Sequence, residues 1–167
     1  MAVVNLKGSR VITNADASPS VLSAPGTGGG AVRSWTETVE TNADDSASST
    51  YLLARLPSNA RIMGESKIHF DDLGTTAVTI DVGVYNLSGK SDITDDPDAM
   101  NDGIDVTTAA GSASLIGDIA NYGIPLWDHV NGQTTDPVTM LDVKAKLLDA
   151  AVTAAGTITV EIFYTLD

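Results

Sequence analysis

Period-two alternation of apolar and polar side chains runs through much of this chain. From Arg61 to Phe70, Ile62, Gly64, Ser66, Ile68 and Phe70 share one parity, while Arg61, Met63, Glu65, Lys67 and His69 share the other. That pattern predicts a strand with one buried face. After the turn "DDLGTT", Val78, Ile80, Val82 and Val84 alternate with Thr79, Asp81, Gly83 and Tyr85. Two such strands joined by a short link are expected to pair antiparallel. The strongest alternation lies near the C-terminus, where Ile158, Val160, Ile162 and Tyr164 mark a last strand in "TITVEIFYTL".

Residues 140–148 carry two signals. Met, Leu, Lys and Ala favour helix, and Asp136-Pro137 supplies an N-cap and first-turn pair. Yet Leu141, Val143, Ala145 and Leu147 alternate with Asp142, Lys144, Lys146 and Leu148. The alternation is taken as a strand, which through "TAAG" is expected to form a hairpin with the last one.

Upstream, "RSWTETVETNADDSASSTYLLARLP" reads as a strand opening at Trp35, an Asn/Asp/Ser turn whose side chains bond their own backbone, and a strand from Tyr51 to Leu56 stopped by Pro57. Residues 86–118 read as a long acidic excursion with at most a short strand near Ile104–Val106. Pro125, Leu126, Trp127 and Val130 suggest one short helix. The sum, about eight strands, predicts an all-β fold: an antiparallel β-sandwich of jelly-roll type.

Residues 1–34 differ from the rest. Pro19, Pro25, Gly26, Gly28, Gly29 and Gly30 disfavour regular structure. Val3, Val4, Leu6, Val11, Ile12, Val21 and Leu22 are nonetheless too apolar for a solvated tail. They are the candidates for docking on a neighbour, with a disordered terminus as the alternative. The expected organisation is an extended N-terminal arm, 1–34, followed by the sandwich, 35–167. Arg33, Trp35, Arg55 and Arg61 are the candidates for contacts between subunits of the body.

Composition narrows the function. The 167 residues contain 9 Lys plus Arg and 22 Asp plus Glu, a formal net charge of −13. An acidic surface repels phosphate, so nucleic acid and anionic membranes are discounted as partners. There is no cysteine, hence no disulfide framework or thiolate chemistry. The N-terminal residues hold no apolar run of signal-peptide length, and no stretch approaches a membrane span.

Catalytic equipment is missing from the pattern. The two histidines, His69 and His129, are not at metal-ligand spacing. "DPDAMNDGIDVTTA" places Asp98, Asp102 and Gly103 as an EF-hand would, but Met100 stands at the third position and Ala109 at the twelfth, so the bidentate carboxylate is missing. The acidic loop 92–105 reads as a solvated loop, with an irregular cation site from Asp95, Asp96, Asp98 and Asp102 as the alternative. "GTGGG" at 26–30 lacks the Lys and Ser or Thr of a phosphate loop. "GSASLIG" lacks the spacing of a nucleophile elbow. No enzyme and no cofactor are expected.

The order of the segments adds a resemblance. "RSWTETVETNADDSASSTYLLARLPSNARI", "IDVGVY" at 80–85, "LWDHVNG" at 126–132, "LDVKAKL" at 141–147 and "AAGTITVEIFY" at 154–164 together resemble small structural proteins of tailed bacteriophages, as do "TNADASPSVL" and "GGGAV" in the arm. The resemblance implies a head decoration (cement) protein: a β-sandwich, sitting as a homotrimer on the outer surface of the virion capsid, clamping neighbouring major capsid subunits, and made in the host cytoplasm. It implies no catalytic residues and favours strand over helix at 141–147. The alternatives are another virion component, such as a head fibre base or tail protein, and a carbohydrate-binding β-sandwich module using Tyr122 and Trp127.

Overall fold

A computed structural model of the chain describes residue 18 and residues 30–74, 77–107 and 109–166. Among the described residues nine strands form two antiparallel sheets packed face to face. They are β1 (Arg33–Thr41), β2 (Thr50–Pro57), β3 (Ala60–Ile62), β4 (Lys67–Phe70), β5 (Thr79–Tyr85), β6 (Asp96–Asp105), β7 (Gly111–Ser114), β8 (Met140–Leu148) and β9 (Gly156–Leu166). One sheet has the order β1-β9-β4-β7, with β3 also on β9; the other has β2-β8-β5-β6. The predicted all-β sandwich is therefore the fold observed.

The alternating residues fill the space between the sheets. Leu141, Val143, Ala145 and Leu147 of β8 and Ile158, Val160 and Ile162 of β9 are fully buried, together with Ile80, Val82 and Val84 of β5 and Ile62 and Ile68. Each buried aliphatic side chain is worth roughly 1.5–3 kcal/mol of transfer free energy, so this shared interior is the main source of stability.

Two expected pairings are corrected. β8 bonds β2 and β5, and β9 bonds β1, β3 and β4, so residues 140–148 and 156–166 form no hairpin. Likewise β4 and β5 lie in different sheets. In both cases the link crosses from one sheet to the other. Leu73 and Val78 in one link and Val152 in the other are fully buried. Thr153 and Ala154 donate to the carbonyl of Leu73, so the two crossings close the same end of the sandwich. Strands that bury matching apolar faces do so by stacking across the interior rather than by lying side by side.

Other differences have local causes. The strand expected over 61–70 is split, because four residues, Met63 to Ser66, bulge opposite Ile162 and Phe163. Ser66 holds the bulge: its hydroxyl donates to the Phe163 carbonyl at 3.2 Å and accepts from the Phe163 N–H at 2.9 Å. The excursion at 86–118 contains β6 and β7. Register shifts along the β5–β6 pairing interrupt the alternation that would have revealed β6. The second face of β5 is covered too, with Asp81 and Tyr85 buried. The expected short helix is a 3-10 turn, Leu126–His129, anchored by the buried Leu126.

Candidate interaction surface

The arm residues Val3, Val4, Leu6, Val11, Ile12, Val21 and Leu22 lie outside the described residues. The four body candidates fall into different settings. Arg55 on β2 stands directly opposite Asp142 on β8. Its Nε donates to Asp142 Oδ1 at 2.7 Å and its Nη2 to Oδ2 at 3.2 Å, a bidentate pair within one subunit. Lys144 Nζ stands 3.8 Å from the same carboxylate and 4.8 Å from the Tyr85 ring centroid. Arg61 donates to the carbonyl of Gly123 at 2.9 Å. Arg33 is exposed on β1. Arg33 and Arg61 stand opposite adjacent positions of β9, Tyr164 and Thr165, from its two sides, while Arg55 lies in the other sheet.

Trp35 has the most informative setting. Among the described residues β1 pairs only with β9 and β2 only with β8, so both are edge strands, and the two edges lie side by side. Trp35 spans them: its indole N–H donates to the carbonyl of Leu53 at 3.0 Å. A groove of about 250 Å³ runs between the edges, lined by Trp35, Glu37 and Val39 from β1 and by Leu52 to Arg55 from β2. Trp35 remains 36% exposed and Leu52 43% exposed. Residues 33–38 of β1 are exposed on both faces, unlike any other long strand here. Leu52 was not legible as a surface residue, because the register of β2 shifts between Leu52 and Ala54.

One more apolar feature, at Val138, escaped the sequence reading. Val138 is 85% exposed and holds φ +52°, a left-handed conformation that a β-branched residue rarely adopts. Asp136 Oδ1 fixes it, accepting from the Val138 N–H at 2.8 Å and from the Ser58 hydroxyl at 2.6 Å. Pro57, Met140 and Val138 border a second cavity at this end of the β2 edge. Tyr122 is 40% exposed beside Gly64, whereas Trp127 packs against the core. The two rings thus differ in exposure, Tyr122 open to solvent and Trp127 partly buried.

Residues Asp96–Asp105 of the acidic stretch form β6, and three carboxylates in and around it accept backbone N–H groups. Asp96 accepts the Asn131 N–H, Asp95 the Asn86 N–H and Asp81 the Gly103 N–H. Burial holds the Asp81 and Asp96 carboxyls above the usual carboxylate range, with neighbouring Asp102 and Asp98 adding to it. Burial, then the charges of Asp95, Asp81, Asp96 and Asp98, push the Tyr85 hydroxyl up to about 12. Among the described residues no group of three or more His, Asp or Glu is arranged to hold a metal ion.

No family model and no curated protein matches this sequence. Solved structures do match. A chain of the Cyanophage Pam1 capsid asymmetric unit aligns with a TM-score of 0.56 at 21% identity, over 90% of this chain and 96% of that one. A chain of the capsid of Ralstonia phage GP4 aligns with a TM-score of 0.57 at 20% identity, over 81% of this chain and 85% of that one. This chain shares their fold.

Proposed function

We propose that this chain is a structural protein of a tailed-phage virion, specifically a decoration protein that binds the outside of the head and clamps neighbouring major capsid subunits as a homotrimer. The observation that carries the reading is the match, over 90% of this chain and 96% of the other, to a chain of a phage capsid asymmetric unit. The strand order β1-β9-β4-β7 over β2-β8-β5-β6 supports the jelly-roll reading. A rigid two-sheet body, an apolar N-terminal segment and an acidic surface suit a clamp, and the role requires no chemical step. Many weak contacts on a symmetric shell add up through multivalency.

The test is the copy number per purified virion, measured by quantitative mass spectrometry against the major capsid protein. A ratio near one to one is expected. A handful of copies would move the chain to a tail or fibre, and absence from the particle would overturn the reading. Deleting residues 1–30 is expected to leave a folded body that no longer saturates bare capsids.

A further inference from the structure

Among the described residues no strand occupies the β1–β2 groove. Among the described residues each of its walls is a sheet edge whose outer side pairs with no further strand, although the Trp35 indole bonds the Leu53 carbonyl across it. Proteins usually protect such edges by covering them, shortening them or lining them with charge. Here β1 has nine residues and β2 eight, and the groove between them has an apolar floor of Trp35, Val39, Leu53 and Ala54. The one acid inside is Glu37. Glu40 lies further along β1, and Glu161 lies across from Thr36.

Residues 1–15 of the sequence, "MAVVNLKGSRVITNA", have the complementary character. They carry Lys7 and Arg10 and no acid, whereas residues 16–167 hold all 22 Asp and Glu and the other 7 Lys and Arg. We propose that the groove receives the segment around Val3–Ile12 from a second copy of this chain, added as a strand to the free edge, with its cations near Glu37. The inference builds on the reading of residues 1–34 as an arm and names where that arm goes.

The direction of the chain selects a second copy. β1 runs antiparallel to β9, with Trp35 opposite Ile162 and Arg33 opposite Tyr164. Gly30 continues this line past Thr165 toward the Leu166 carbonyl. From Arg33 back to Gly30 the chain therefore moves away from its own groove. Residues 13–29 can span at most roughly 55 Å when extended at about 3.3 Å per residue, which sets the longest reach of the segment before them. An arm in a neighbour's groove is a head-to-tail contact, which fills every groove when the ring closes. Strand addition of this kind draws affinity from main-chain bonds and specificity from alternate side chains in pockets.

Sedimentation velocity of the free, full-length protein tests this without any capsid, so its outcome is separate from that of the copy-number measurement. Two full-length variants are needed: Leu52→Asp, which spoils the groove at an exposed position, and Val3→Asp/Val4→Asp/Leu6→Asp, which spoils the arm. Wild type is expected to be multimeric and each variant monomeric, with unchanged melting of the body. Mixing the two variants is expected to restore a one-to-one pair, since one still has an arm and the other a groove. Hydrogen exchange is expected to be slow at the β1 amides facing away from β9 only in the multimer. A monomeric wild type, multimeric variants or a mixture that stays monomeric would each overturn the proposal. So would β1 amides protected in a monomer, which would mean that the chain fills its own groove.

Discussion

The Trp35 indole donates to the Leu53 carbonyl across the open edge of the sandwich, 3.0 Å from nitrogen to oxygen. Leu53 is fully buried at the register shift of β2, where its carbonyl has left the regular ladder. The bond thus uses an acceptor that the bulge released, and it holds β1 against β2. Trp35→Phe keeps most of the ring but removes the donor. The expected cost is about 1 kcal/mol, read as a lower urea midpoint with an unchanged slope. An unchanged midpoint would show that water replaces the indole without loss.

Gly83 lies at a much tighter contact. A Cβ there would stand 2.2 Å from the Asp96 carbonyl oxygen and 2.3 Å from that of Pro97. Both obstacles are backbone, so no side chain can move aside. Gly83→Ala is expected to force β5 and β6 apart and cost about 3 kcal/mol or more, at the upper end of overpacking changes. Gly103, at φ +71° with open space around it, is the control: Gly103→Asn is expected to stay within about 1 kcal/mol of wild type. Equal melting temperatures for Gly83→Ala and wild type would refute the close approach.

Val138 offers a stabilising change. Its left-handed backbone costs a β-branched residue about 1–2 kcal/mol, and an 85% exposed side chain recovers little of that by burial. Val138→Asn is expected to raise stability by about 1 kcal/mol, because Asn tolerates this conformation and the Asp136 bond to the 138 N–H is backbone. A residue kept in a strained conformation while exposed is a pattern of contact sites. If Val138 touches capsid, the same variant is expected to melt later yet bind bare capsids more weakly. Unchanged binding would assign Val138 no part in attachment.

What could be read from the chain follows from what alternation encodes. A period of two says which residues share a face, and for Leu141–Leu147 and Ile158–Ile162 those faces are the buried ones. It does not say which strand lies alongside, so β8 and β9 looked like a hairpin although they belong to opposite sheets. The crossings are marked in the links, where Leu73 and Val78 in one and Val152 in the other are buried. Most of β6 was hidden because its pairing with β5 shifts register twice, so Met100 reads as an isolated apolar residue in an acidic loop and only the end near Ile104 suggests a strand. Trp35 stood out as a large ring in a polar strand. The groove beside it did not, since Leu52 becomes a rim residue only through the neighbouring bulge.

His129 makes stability depend on pH in a direction that can be worked out. The residue is 7% exposed, and burial lowers its imidazole pKa from 6.5 to about 4, with Asp128 and the backbone at Ala99 pulling more weakly the other way. Below pH 6.5 the unfolded chain takes up a proton that the folded chain refuses. Stability is therefore lost as pH falls from about 6.5 to about 4, by roughly 3 kcal/mol if the whole shift is realised. Asp81 and Asp96 act oppositely: their raised values mean that the folded state binds protons more readily, so acid relieves the cost of burying them. The two effects overlap in wild type. His129→Phe separates them, because the aspartates contribute to both proteins. Urea unfolding at pH 7 and pH 4 is expected to show wild type losing about 3 kcal/mol more than the variant. An equal loss in both would mean that the ring titrates as freely in the folded protein as in the unfolded chain.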